Sequence, residues 1–175
     1  MRIDSLRNEL VHISSSEKQV DLLNEIAFLN ISIDPLTAKD EVLKAYNIAK
    51  EVAYVGGQSR ALVVMGGIHW SLADYDNALS HYLEALTNYE EQSDLLNQSI
   101  CLNNIGEVYK KLGEYFKSME YLSKALTLRI NTLGENKSAR AFYNVAEAYM
   151  LMADFEASSE YYSKAYEIAT EQKNK

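Results

Sequence analysis

The sequence repeats itself every 40 residues. Three twelve-residue segments, beginning at Tyr75, Tyr115 and Phe155, align with one another without a gap. Small residues recur on the same ladder, at Ala45, Ala85, Ala125 and Ala165, and at Gly66, Gly106 and Ala146. A self-similar period of this length is typical of solenoids that stack one supersecondary unit. The chain is therefore expected to fold as a row of similar units.

Each unit is predicted to be a pair of helices. In the third unit Leu102, Ile105 and Tyr109 follow one apolar stripe at helical spacing. A second helical pattern then runs from Phe116 to Ile130. The predicted fold is all-α, with about four helix pairs. It forms one domain over 1–175, with an N-terminal helix at 3–13 and repeats at 17–56, 57–97, 98–137 and 138–172.

Turn residues predict where the helices begin and end. Ser14-x-x-Glu17 has the pattern of a capping box that opens the first helix of the first unit. Asp34 can cap the next helix, with Pro35 in its first turn. Glycines predict the remaining breaks: Gly113 as a left-handed helix stop, and Gly56-Gly57 and Gly134 between units.

The recurring small residues predict close helix crossings. Glycine or alanine at positions 66, 106 and 146 would let the two helices of a pair approach, and the alanine ladder would face the same crossing. Because a larger side chain would push the axes apart, Ala125→Leu is expected to cost about 1–3 kcal/mol.

Composition limits the possible functions. The formal net charge of −8 and pI near 4.9 disfavour binding to phosphate backbones, so no nucleic-acid partner is expected. The longest apolar run, 61–65, is too short to span a bilayer, and the N-terminus lacks the pattern of a signal peptide. A lone Cys101 excludes an internal disulfide and fits a reducing compartment. A cytoplasmic protein is predicted.

No catalytic constellation is apparent. His12, His69 and His81 form no metal-binding pair, and His69 occupies the position that is tyrosine in the two following units. Cys101 adjoins a core stripe and is predicted to be a buried, inert thiol. The chain is therefore predicted to be no enzyme, with no catalytic residue, metal, cofactor or small-molecule substrate.

The repeats resemble the tetratricopeptide repeat family, whose signature is W-x2-L-G-x2-Y followed by an alanine, a large aromatic residue and another alanine. The third unit reads Leu102-x2-Ile105-Gly106-x2-Tyr109; the corresponding segments are Leu62-x2-Met65-Gly66-x2-His69 and Phe142-x2-Val145-Ala146-x2-Tyr149. The 40-residue period is similar to the long-repeat branch, which includes kinesin light chains, polarity adaptors and many bacterial regulators. This resemblance implies an α-α superhelix that binds proteins. The opening repeat looks like N-terminal arrays of bacterial signalling proteins.

In such a stack the first helices of the pairs line a concave groove. The side of these helices opposite the apolar stripe supplies the predicted partner-binding residues, which are Val63, Val64, Trp70, Asn103, Asn104, Glu107, Lys111, Arg140, Tyr143, Asn144, Glu147 and Met150. Related repeats use an asparagine at the place of Asn104 and Asn144 to bond a peptide backbone. The two asparagines either do this or are solvated surface residues.

The sequence allows more than one role for the apolar and cationic residues on this side of the first helices. Trp70 either contacts a partner or packs beneath a neighbouring helix. Lys110, Lys111 and Arg140 could receive a carboxylate. The full lysine and asparagine set of receptors for chaperone tails is absent.

The predicted function is binding of a protein or peptide segment in the groove, as the regulatory part of a larger bacterial signalling protein. The alternative is self-association as a homodimer through an uncapped C-terminal end that carries Tyr161, Tyr162 and Tyr166. If this end does not self-associate, it would indicate that the chain was cut from a longer protein. A passive spacer in a longer array is a third possibility.

Overall fold

The computed structural model describes residues 2–173, and nine α-helices account for most of this part of the chain. They are α1 (Arg2–His12), α2 (Ser16–Asn30), α3 (Pro35–Glu51), α4 (Val55–Ser71), α5 (Tyr75–Glu91), α6 (Leu95–Lys111), α7 (Tyr115–Leu133), α8 (Ala139–Leu151) and α9 (Phe155–Lys173), with a 3₁₀ turn at Glu135–Lys137 between α7 and α8. No β-strand occurs within these residues. The chain divides between Asn88 and Tyr89 into two compact units.

In the first unit, α2 and α3 form a pair and α4 packs against both. Two apolar clusters fill the contacts. One contains Val20, Leu23, Ala45 and Ala49; the other contains Ala27, Ala38, Val42, Ala61, Val64, Met65 and Ile68. Removal of these side chains from water drives the association of the helices.

Helix α1 lies on the first pair. Its Leu10 packs against the first apolar cluster, although none of its residues is fully buried. Arg2 donates to Glu25 at 2.7 Å and Arg7 donates to Glu41 at 2.8 Å. Ion pairs at exposed positions contribute little individually, so α1 is held mainly by its apolar side.

In the second unit, α6 pairs with α7 and α8 pairs with α9, while α7 also packs against α8. The core that joins α7, α8 and α9 contains Leu122, Leu126, Ala141, Phe142, Val145, Ala148, Ala165 and Ile168. The predicted helix pairs are therefore present in both units.

The predicted close crossings are confirmed. A Cβ at Gly66 would lie 2.5 Å from the ring of Tyr82, and one at Gly106 would lie 2.6 Å from Cγ of Leu122. Real Cβ atoms do not approach other heavy atoms so closely, so only glycine lets these helices cross at the observed distance. Ala125, on the opposing helix of the second crossing, is 2% exposed.

Some predicted boundaries are confirmed. Oδ1 of Asp34 accepts from the backbone N–H groups of Leu36 and Thr37, at 3.1 and 3.2 Å, and Pro35 is the first residue of α3. Gly113 and Gly134 have φ of 77° and 84°, and α6 and α7 end just before them.

Two predicted boundaries are wrong. Helix α2 begins at Ser16, and the residue at its cap, Ser15, makes no side-chain cap bond, so the Ser14-x-x-Glu17 capping box is not formed. Gly56 and Gly57 lie in the first turn of α4 rather than between units. Gly57 serves packing instead, because a Cβ there would lie 2.5 Å from the Tyr54 ring.

Five of the helices end at a left-handed residue, and these residues are spaced by 20 or 40 positions. Besides Gly134, positive φ angles occur at Ala53, Ala73, Ser93, Gly113 and Ala153. Each breaks the helix that precedes it. Because only one of the five is glycine, four of these breaks carry the strain of an L side chain in the left-handed region.

These positive-φ positions predict opposite effects for two substitutions. Gly113→Ala is expected to lower the free energy of unfolding by about 1 kcal/mol, because alanine is strained at positive φ. Nothing lies within 4 Å of the new Cβ, so the cost comes from the backbone alone. Ala153→Gly, at φ 60°, is expected to raise the free energy of unfolding by up to about 1 kcal/mol. Urea denaturation measures both changes, and two shifts of the same sign would contradict the explanation.

Candidate functional site

The side chains of α6 and α8 are joined by an amide–amide hydrogen bond. Asn144 Nδ2 donates to Asn103 Oδ1 at 2.7 Å, and Asn144 is 7% exposed. The prediction that Asn144 faces solvent is therefore wrong. Its partner lies 41 positions away, whereas the 40-residue ladder aligned it with Asn104. Asn104 remains half-buried on α6.

About two turns further along α6, Lys110 joins the same two helices. Its Nζ donates to Glu107 Oε1 at 2.7 Å and to Glu147 Oε2 at 2.8 Å. Burial works to lower the pKa of Lys110, but hydrogen bonds to the two carboxylates and their charge outweigh it and raise that pKa. The ammonium side chain is only 11% exposed, against 24% and 34% for the carboxylates. Lys110 is therefore already occupied and does not stand open to a ligand carboxylate.

Apolar side chains continue this surface on α8. The Tyr143 hydroxyl donates to Glu147 Oε1 at 3.3 Å, and the Tyr143 ring meets that of Tyr162 edge-on at 5.3 Å. Burial, together with the nearby Glu147 carboxylate, raises the pKa of Tyr162. Tyr143, Met150 and Leu151 are 44–46% exposed. Of the remaining predicted residues in this unit, Lys111 and Arg140 are also exposed.

We call the surface of Asn103, Asn104, Glu107, Tyr143, Glu147 and Met150 the α6–α8 face. It combines amides and carboxylates with exposed apolar side chains. An asparagine amide both donates and accepts hydrogen bonds, as a peptide backbone requires. Large apolar side chains beside the asparagines can hold the apolar side chains of a ligand.

In the first unit some of the predicted site residues are exposed and others are buried. Trp70 is 38% exposed and Val63 is half-buried on α4. Val64 is 3% exposed and belongs to the second apolar cluster, so the prediction of a solvent-facing Val64 is wrong. Asn24, a polar residue of α2, is fully buried and donates to the Gly57 carbonyl at 3.2 Å.

The tyrosines of α9 differ in their surroundings. Tyr161 is half-buried against the rings of Phe142 and Tyr149, with centroids 6.0 and 5.3 Å away. Tyr162 packs against Tyr143, whereas Tyr166 is 73% exposed. Of the three residues predicted for self-association, Tyr166 alone is largely open.

His69, His81 and Cys101 occupy structural positions. His69 Nδ1 lies 2.8 Å from Asp74 Oδ2, and its ring contacts that of His81 at 5.3 Å. Burial, and then the charge of His69, lower the pKa of His81. Burial raises the pKa of the Cys101 thiol to about 12, which suppresses the reactive thiolate.

Two further features of residues 2–173 concern metals and membranes. No group of three or more His, Cys, Asp or Glu side chains in this part of the chain is arranged to hold a metal ion. Within the same residues, no helix combines the length and apolar character needed to cross a bilayer.

Several solved structures have a similar fold. Aspartyl phosphate phosphatase F from Bacillus subtilis is 17% identical, with a TM-score of 0.84 over 94% of this chain and 44% of that one. A Rap protein complexed with competence and sporulation factor is 16% identical, with a TM-score of 0.88 over 97% and 48%. The Rap conjugation gene regulator of plasmid pLS20, in complex with the Phr* peptide, is 18% identical, with a TM-score of 0.85 over 98% and 48%. The chain spans about half the length of these proteins.

Sequence comparison identifies the repeats themselves. No curated protein matches the chain. Two tetratricopeptide repeat models match, one over residues 59–92 and the other over 97–171. These ranges contain the glycine crossings at Gly66 and Gly106 and the helix pairs around them. The chain, an all-α solenoid of helix pairs, belongs to the tetratricopeptide repeat family.

Proposed function

We propose that the chain is a non-catalytic protein-interaction module that binds an extended protein or peptide segment on the α6–α8 face. The observation that carries this proposal is the fixed arrangement of that face. The Asn144–Asn103 bond and the Lys110 clamp hold α6 and α8 in register. Exposed Tyr143 and Met150 lie beside them. A preorganised surface of this kind lowers the entropy cost of binding.

The amides suit an extended backbone. The side-chain oxygen of Asn103 accepts the hydrogen bond from Asn144. The NH₂ group of Asn103 has no hydrogen-bond partner among residues 2–173. Asn104 also makes no side-chain bond in that part of the chain. Two structurally similar proteins were solved with a bound factor or peptide, which supports a peptide as the ligand class here. Trp70 on α4 is a separate candidate contact of the first unit.

The proposed context is regulatory. The structurally similar proteins include a conjugation gene regulator and a Bacillus subtilis phosphatase, and each is about twice as long as this chain. We infer that the repeats control a larger bacterial signalling protein, in a cytoplasmic setting.

Selection from a random peptide library tests the ligand class. Peptides that bind the immobilised chain are measured against Asn103→Ala and Tyr143→Ala, each expected to weaken binding at least about tenfold. Asn131→Ala and Phe116→Ala are the matched controls, because both are exposed on α7, and they are expected to leave affinity unchanged. Failure to select any peptide, or equal losses in tests and controls, would contradict the proposal.

A second candidate is self-association through α9. Tyr166 is 73% exposed, whereas Leu126, its counterpart 40 residues earlier, is 7% exposed and packs in the core with α8. This difference supports Tyr166 as a contact to a second copy. Light scattering over a wide concentration range tests it: a dimer that Tyr166→Glu converts to a folded monomer would favour this candidate, and a monomer throughout would remove it.

A further inference from the structure

The second unit contains a cavity away from the α6–α8 face. It has a volume of about 410 Å³ and lies where α8 and α9 meet the 3₁₀ turn. It is lined by Glu135, Phe142, Glu160, Tyr161, Ser163, Lys164 and Glu167. The connection at this place covers residues 134–138, whereas 52–54 and 92–94 join the earlier pairs. The cavity therefore coincides with a departure from the regular repeat.

The cavity already holds one alkylammonium group, which belongs to the chain itself. Lys164 Nζ lies 2.7 Å from Glu135 Oε1 and 3.3 Å from Glu167 Oε2. The three side chains are 39–60% exposed, so these ion pairs are weak and open to exchange. Glu160 adds a third carboxylate that makes no ion pair within residues 2–173. Three carboxylates against one ammonium leave a local excess of negative charge.

The remaining wall is aromatic. Phe142 is 9% exposed and Tyr161 is half-buried, with ring centroids 6.0 Å apart, and both give the cavity an apolar wall on which a methylene chain can lie. A second cavity of about 460 Å³, lined by Asn136, Lys137, Ile168, Glu171 and Gln172, also lies against α9, where Glu171 follows Glu167 of the first cavity by four residues.

The spacing of charges on α9 selects a linear ligand. Glu160, Lys164, Glu167 and Glu171 follow one helical stripe, with steps of three or four residues. A four-residue step rises about 6 Å, which is close to the distance between ammonium groups joined by short methylene chains. We propose that the two cavities bind a linear aliphatic polyamine, whose ammonium groups pair with the α9 carboxylates while its methylenes lie on Phe142 and Tyr161. Lys164 is the internal competitor of this ligand.

Calorimetric titration with spermidine tests the proposal on the full chain. Glu160→Gln is expected to weaken binding by about fivefold. Lys164→Gln is expected to tighten binding by a similar factor, because it removes the competing ammonium. Glu84→Gln, an equal charge loss on α5 in the first unit, is the matched control and is expected to leave affinity unchanged. Thermal melting of each variant checks that the fold is intact.

The control ligands separate the possible sources of the signal. Mg²⁺ at the same concentration is expected not to compete, whereas tri-lysine competes if the cavities take lysine side chains of a protein rather than the free amine. Equal weakening by Glu160→Gln and Glu84→Gln, or loss of affinity in Lys164→Gln, would mean general attraction of cations to an acidic chain and would overturn the proposal. Undetectable binding of spermidine to the chain and to Lys164→Gln would overturn it as well.

Discussion

Leu122→Ala is expected to lower the free energy of unfolding by about 2–5 kcal/mol, which is the usual range for a leucine removed from a core. Leu122 is 1% exposed and belongs to the cluster that joins α7 to α8 and α9. It also fills the space opposite Gly106. Removing it therefore leaves a cavity at the centre of the second unit. Leu83, which is 38% exposed on α5, is the matched control, and Leu83→Ala is expected to cost much less.

A double-mutant cycle tests the reason for the glycine. Alone, Gly106→Ala places a Cβ 2.6 Å from Leu122 Cγ and 3.2 Å from the Ser118 carbonyl oxygen, and overpacking of this kind costs about 1–3 kcal/mol. In the Leu122→Ala background the leucine atoms are absent, so the same glycine substitution is expected to cost little. Denaturant unfolding of the four proteins gives the coupling energy. A coupling near zero would contradict the view that helix approach explains Gly106.

Lys110→Met is expected to destabilise the second unit by about 1–3 kcal/mol. The substitution leaves Glu107 and Glu147 facing each other without the ammonium that each contacts. Both carboxylates keep some contact with water, so the loss is smaller than for a fully buried pair. The control is Lys124→Met, whose partner Glu120 is 60% exposed, and a change within about 0.5 kcal/mol is expected there.

The pH dependence of this effect has a defined sign. Because the pKa of Lys110 is raised in the folded state, its contribution is fully present below the unfolded-state pKa and is lost only as pH rises through the folded-state pKa. The difference in stability between the wild type and Lys110→Met is therefore expected to be constant near neutral pH. It should shrink in alkali, as the pH rises through the raised pKa of Lys110 and the ammonium loses its charge. A difference that grows as the pH rises into that range would contradict the ion-pair explanation.

The repeat period predicted the crossings because equivalent positions in two repeats face equivalent positions of the second helix. Gly66 and Gly106 occupy the same place in two helix pairs, and each faces a side chain of its own second helix. The period could not reveal the breaks at Ala53, Ala73 and Ala153, because alanine normally avoids positive φ. Those turns follow from the packing of the helices on either side.

The wrong predictions about the site, namely the solvent exposure of Val64 and Asn144, have one common cause. A helical pattern separates the apolar side of one helix from its polar side, but each first helix also packs against its neighbour within the unit. That second contact buries Asn24, Val64 and Asn144. The bond between Asn144 and Asn103 and the clamp around Lys110 arise from the same contact. Their residue offsets depend on the angle between α6 and α8, which sequence spacing does not specify.

Binding on the α6–α8 face is tested most directly by NMR of ¹³C-methyl-methionine during titration with a selected peptide. Met150 is 44% exposed on that face, Met65 is 8% exposed in the core of the first unit, and Met119 lies on α7. The Met150 methyl resonance is predicted to move with peptide occupancy while those of Met65 and Met119 stay in place. A bound peptide that leaves the Met150 resonance unmoved would contradict the account.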